Sequence, residues 1–214
     1  MEELLVFGHS VTNGFWDPEG GWVQRLRKIL DRKALKSGKE EDVYYLYNLS
    51  IAGDTAKDLN QRIRKESDRR KEEDAETLII IQIGANDAMY YRNEDRVETS
   101  LEEFKNQFKE LIAKAEALAE KTVVVGGFPM DPGMEVIPYQ PNIGINNKRL
   151  EKYEEAKRKI CKDTDTHYID LYPLMKDRDN SDYLEEGVHP NKKGHEMITE
   201  KVEKEIKDKG LLSL

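Results

Sequence analysis

Leu4-Leu5-Val6-Phe7-Gly8-His9-Ser10-Val11-Thr12-Asn13-Gly14 is the stretch on which the fold turns. Four apolar residues in a row suit a strand covered on both faces, because a half-exposed strand alternates apolar with polar. The run stops abruptly in small and polar residues. A loop of that kind after a buried strand has three uses. It exposes Ser10 as a nucleophile, it cradles a phosphate on its backbone amides, or it only turns the chain.

Four further runs of the same character follow, at residues 43–49, 77–83, 122–127 and 167–171. Between them lie stripes at helical spacing. Trp22, Val23, Leu26, Ile29 and Leu30 form one, and Leu101, Phe104, Phe108, Leu111, Ile112 and Leu118 a stronger one. Leu150, Tyr153 and Ile160 mark a third, and Met197, Ile198, Val202 and Ile206 a last. Residues 56–73 offer only Leu59 and Ile63 as apolar anchors and read as an exposed helix or part-helix. Alternating strands and helices predict parallel βαβ units. Right-handed crossovers turn these into an open α/β sheet with helices on both faces. Five strands suggest the flavodoxin-like order 2-1-3-4-5. Residues 1–214 read as a single domain, without repeat or linker. In such sheets ligands sit beyond the carboxyl ends of the strands.

Bulk composition narrows the partners. A net charge of −8 argues against nucleic acid and acidic membrane surfaces. The 36% of charged residues reads as a heavily solvated surface. No apolar run approaches the roughly 20 residues of a membrane span, so no membrane insertion is expected. Cys161 is the single cysteine and has no partner for a disulfide. Without a visible secretory signal, the expected location is cytoplasmic. Asn48-Leu49-Ser50 matches a glycosylation sequon, but it ends a buried strand and is set aside.

The strand ends carry the chemistry. They are followed by Gly8-His9-Ser10, by residues 50–54 with Gly53, by Gly84-Ala85-Asn86-Asp87, by residues 126–133, and by a loop with Glu185, Glu186 and His189. A serine hydroxyl needs a base to take its proton, and imidazole titrates near neutrality. His189 is the candidate base. A carboxylate three residues upstream can fold back onto its Nδ1 in one tight turn, so Glu186 can orient it. Glu185 and Asp182 are alternatives. An acyl-transfer site also needs donors for an oxyanion. The amides of Ser10 and Gly53 and the side chain of Asn86 supply three.

Ser10, Gly53, Asn86 and His189, in that order, resemble the four blocks of the SGNH hydrolases, the GDSL esterase/lipase family. Gly21-Trp22-Val23-Gln24-Arg25-Leu26 resembles the stretch after the first block, and His189-Pro190-Asn191-Lys192-Lys193-Gly194-His195 the last block. The resemblance covers almost the whole chain. It implies a three-layer α/β/α fold and a serine hydrolase that cleaves carboxylic esters or thioesters without a cofactor. Ser10 would be the nucleophile, His189 the base, and Ser10, Gly53 and Asn86 the oxyanion hole. Two positions depart from the pattern: His9 stands where the family has aspartate before its serine, and Glu186 where it has aspartate before its histidine. His9 is expected to brace the loop. Asp87 is expected to tie down its own loop, and His167 and His195 to be structural, His195 at a helix surface or core edge.

No pair of histidines has a ligand spacing, so no metal site is expected. Met89, Tyr90 and Tyr91, and Met130, Met134, Ile137 and Tyr139 in a long loop, are candidates to line a substrate pocket; among them Met89, Tyr90, Met130 and Tyr139 are favoured. Small acyl, aryl or acetylated-sugar esters fit the absence of a long apolar lid. The rival readings are a flavin- or phosphate-binding module, with Ser10, Thr12, Asn13 and Gly14 as cradle, and an inactive relative that binds carbohydrate or protein.

Overall fold

The computed structural model describes residues 1–72, 74–134, 136–176 and 178–212. In chain order its strands are β1 (Glu2–Gly8), β2 (Tyr44–Asn48), β3 (Glu76–Gln82), β4 (Tyr90–Tyr91), β5 (Arg96–Val97), β6 (Lys121–Val125), β7 (Val136–Ile137), β8 (Gln140–Gly144) and β9 (His167–Ile169). The helices are α1 (Ser10–Asn13), α2 (Gly21–Ser37), α3 (Ala56–Asp68), α4 (Leu101–Glu116), α5 (Asn147–Asp163), α6 (Tyr172–Met175) and α7 (Lys192–Asp208).

Five strands form one parallel sheet in the order β2-β1-β3-β6-β9. Counted among the strands of that sheet, this is the expected 2-1-3-4-5. β1 sits inside the sheet, and each of its residues from Glu2 to Gly8 is buried. Successive side chains of a strand face opposite ways. Leu5 and Phe7 therefore join Ile79, Ile81 and Val124 under α3, α4 and α5. Leu4 and Val6 join Leu78, Ile80, Val123 and Val125 under α2 and α7. Those two apolar layers make the three-layer α/β/α architecture. Leu26 of α2 is fully buried, and its truncation to alanine would cost about 2–5 kcal/mol.

Two findings revise the sequence reading. α3 is amphipathic and not merely exposed: Leu59 and Ile63 are fully buried in the layer shared with α4. Thr55 starts it with a capping box, accepting from the Asp58 amide while Asp58 accepts from the Thr55 amide. It ends at Asp68, and Glu73 lies outside the described residues. The long segment after β6 is not simply a loop. β7 and β8 form a hairpin, and β8 pairs with β4, giving a four-stranded antiparallel sheet in the order β5-β4-β8-β7. Among the described residues no helix is long and apolar enough to cross a membrane.

Candidate active site

Gly8 ends β1, and Ser10 opens the single turn of α1. As the first residue of a helical turn, Ser10 has an N–H without an acceptor inside the helix. His9 is the N-cap: its Nδ1 accepts from the Val11 amide at 3.4 Å. Gly14 closes the turn with φ 98°, a left-handed conformation that glycine adopts without strain. Gln82 braces the turn from below, its Oε1 accepting from Thr12 Oγ1 at 2.8 Å and from Trp22 Nε1 at 3.0 Å. Thr12 is fully buried with its hydroxyl committed to Gln82. It faces no open space, which removes one of the four residues of the alternative phosphate cradle.

The second half of the site is a hairpin between Leu184 and Pro190, closed by Glu185 N donating to His189 O at 2.9 Å. It holds Glu186 and His189 on one side. His189 Nε2 lies 2.8 Å from Ser10 Oγ, and its Nδ1 contacts Glu186 Oε1. A carboxylate only accepts, so the proton sits on Nδ1 and leaves Nε2 as the acceptor for the serine hydroxyl. Burial disfavours the Glu186 charge, but the hydrogen bond and charge of His189 outweigh it and hold the carboxyl below its usual range. Tyr139 OH donates to Glu186 Oε1 at 3.2 Å. Burial and the adjacent Glu186 push that phenol up to about 12, so it stays protonated. Phe15 packs against the His189 ring, with centroids 5.7 Å apart. Of the alternative carboxylates, Glu185 is exposed and Asp182 pairs with Lys193.

Gly53 and Asn86 reach the same place from two other strand ends. Gly53 has φ 90°, and no atom lies within 4 Å of where a Cβ would sit. Its backbone conformation requires glycine, and the space before it is open. Asn86 Nδ2 donates to Asp54 O at 2.8 Å, which fixes the amide orientation and leaves the second Nδ2 proton for a ligand. Asp54 is held in turn by Arg62, at 2.6 Å.

Three buried groups that the sequence reading did not assign hold these turns. One is Gln82. The others are Glu154 and Lys157, an ion pair on α5 at 2.6 Å that is almost wholly buried. Lys157 Nζ donates to Ile83 O at 2.8 Å, beside the turn that carries Asn86. Glu154 Oε2 accepts from Gly127 N at 2.8 Å and from Tyr168 OH at 2.5 Å. Both residues lie on the stripe of Leu150, Tyr153 and Ile160, which is the signal that could have exposed them. Asp87 reaches beyond its own loop. It accepts from the Ala56 amide at the start of α3, and burial raises it to about 6. His195 is fully buried, not at a surface: Nδ1 accepts from Trp22 N at 3.2 Å and Nε2 donates to Phe15 O at 3.1 Å.

Two cavities meet at the serine, sharing Ser10, Asn86, Met89 and His189 in their walls. The larger, about 340 Å³, is open and takes Tyr139, Tyr91 and Ile137 from the small sheet. The smaller, about 30 Å³, includes Met130 and His9. Tyr90 lines neither. Adjacent strand residues face opposite ways, and its ring lies under Arg149 while its hydroxyl meets Asp95. Among the described residues no group of three or more His, Cys, Asp or Glu could hold a metal ion.

A parallel α/β/α sheet with a serine–histidine contact at its carboxyl edge defines a class of ester hydrolases. Residues 6–197 match the model of the GDSL-like Lipase/Acylhydrolase family, and the chain belongs to that family. Among its relatives is the isoamyl acetate-hydrolyzing esterase 1 homolog of Homo sapiens, 26% identical over 202 residues that span 91% of this chain and 77% of that one. Two solved structures share the fold. The lipase/acylhydrolase of Enterococcus faecalis superposes with a TM-score of 0.72 at 24% identity, covering 98% of this chain and 97% of that one. The acetylxylan esterase Axe2 of Geobacillus stearothermophilus does so at 0.72 and 19%, covering 96% and 94%.

Proposed function

We propose that the protein hydrolyses carboxylic esters through a covalent acyl-enzyme on Ser10, with His189 as general base and Glu186 as its orienting carboxylate. The observation that carries this reading is the 2.8 Å contact of Ser10 Oγ with His189 Nε2, with Glu186 on the opposite ring nitrogen. His189 takes the hydroxyl proton as Oγ bonds to the acyl carbon, and the carbonyl oxygen becomes an oxyanion. The amides of Ser10 and Gly53 and the free Asn86 Nδ2 proton receive that charge. His189 then protonates the departing alcohol, leaving the acyl group on Ser10. A water enters, gives its proton to His189 and attacks the same carbon. Collapse of the second tetrahedral species returns the proton to Ser10 and releases the acid. No step calls on a metal or organic cofactor. The substrate is a small-molecule ester, and small acyl, aryl and acetylated-sugar esters all fit the open cavity.

The test is a fluorophosphonate probe with the adduct mapped by mass spectrometry. Labelling is expected at Ser10, lost in Ser10→Ala and weakened in His189→Ala. Absence of labelling between pH 6 and 9 would overturn the mechanism.

A further inference from the structure

The two cavities at Ser10 differ about tenfold in volume, and the reaction distinguishes them. The acyl group stays attached while the alcohol leaves and water arrives. The large cavity is therefore the path for alcohol and water, and the small one is left for the acyl chain. Most of its lining is apolar, Phe128, Met130, Leu150 and Val188 among it, and His9 shares that lining. A volume of about 30 Å³ is room for roughly two water-sized groups. It holds the methyl of an acetyl group or the ethyl of a propionyl group.

Resting on the serine-hydrolase reading above, we infer that His9, which shares the lining of this chamber with Met130, limits its acyl length and confines the enzyme to esters of two- and three-carbon acids. The imidazole is 5% exposed and pinned in place, because its Nδ1 is the acceptor for the Val11 amide. Burial, reinforced by Lys157 and His189, lowers it to about 3. It therefore meets the acyl chain as a neutral ring at any working pH. One residue thus caps the nucleophile turn and lines the acyl chamber.

The experiment is kcat/KM over p-nitrophenyl acetate, propionate, butyrate, hexanoate and octanoate. Wild type should prefer acetate or propionate and fall steeply from butyrate onward. His9→Asn keeps a side-chain acceptor for the Val11 amide while removing part of the ring. Met130→Ala enlarges the chamber at another of its lining residues, and its loop stays anchored because Asn147 bonds the Met130 backbone. Each newly accommodated methylene is worth about fourfold in kcat/KM, so the butyrate-to-acetate ratio should rise at least about fourfold in both variants. A wild-type optimum at butyrate or longer would overturn the inference. So would ratios within twofold of wild type in both variants. In either case labelled Ser10 and measurable hydrolysis would leave the serine-hydrolase reading standing. No hydrolysis of any ester, with no probe labelling, would instead remove that reading and the chamber assignment with it.

Discussion

Replacing Lys157 with methionine removes one half of an ion pair that is 1% and 0% exposed. Glu154 would keep its bonds from Gly127 N and Tyr168 OH, but its charge would have no counterion. Removing one partner of a buried pair costs about 3–5 kcal/mol, mostly the penalty of stranding the other charge. A chain of 214 residues has an unfolding entropy of about 450 cal/mol/K near its midpoint, so the loss corresponds to roughly 7–11 °C in Tm. Lys157→Met/Glu154→Gln removes both charges and keeps a neutral carbonyl acceptor for the two donors, which share Oε2. Most of the loss should return, leaving a deficit of about 1 kcal/mol for the weakened bonds. Urea or thermal unfolding of wild type, both single variants and the double variant closes a cycle with an expected coupling of at least about 2–4 kcal/mol, the larger the more Glu154→Gln costs by itself. The pair is not holding the turns together if Lys157→Met loses under about 1 kcal/mol, or if the double variant is no more stable than it. Activity gives a second reading. Lys157 binds Ile83 O next to the Asn86 turn, so kcat should fall in Lys157→Met while the protein is still folded.

Asn86→Ala should lower kcat by about 10²–10³, the usual loss for one oxyanion donor, with a stability loss of about 1–3 kcal/mol for the buried bond to Asp54 O; steady-state kinetics on a short-chain aryl ester and urea melts measure the two. Glu186→Gln should lower kcat by about 10⁴, because the amide no longer holds the Nδ1–H tautomer. Equal activity of this variant and wild type would reassign the orienting role. Asp87 makes a pH prediction. Its folded value is raised to about 6 from 3.8, so the native state holds the proton more tightly than the unfolded chain. The stabilisation is complete below about 4 and is lost as pH rises through 6, about 3 kcal/mol in all. The stability of Asp87→Asn relative to wild type should rise across that window by an amount of this order. A flat difference in urea melts from pH 4 to 7 would refute it.

Much of the fold was legible because β1 is apolar without alternation, a pattern that only a strand covered on both faces requires. The candidate residues could be singled out because each lies beyond the end of such a strand, and the sheet carries Ser10 and His189 into contact across 179 positions. The second sheet was not legible. β4 and β5 have two residues each, and β4 pairs with a strand some fifty positions away, so no local periodicity records them. The sequence favours Tyr90 over Tyr91, and only the pairing of β4 showed that Tyr91 is the one that turns to the cavity. Glu154 and Lys157 escaped because charge in a helix is read as solvent-facing, although their spacing matches the apolar stripe. Asp87 was placed in its own loop because a sequence cannot show that the start of α3 lies beside it.

The hairpin from Leu184 to Pro190 carries both the proposed base and its carboxylate. Their mutual contact is therefore local to one turn of chain. What joins that turn to the rest of the site comes from other segments: Ser10 on His189 Nε2, Tyr139 on Glu186 and Phe15 on the imidazole. A pair drawn from two separate strands would have its own long-range distance to keep as well. Here alignment with Ser10 comes down to the seating of a single hairpin, and the packing around it is what tunes that seating.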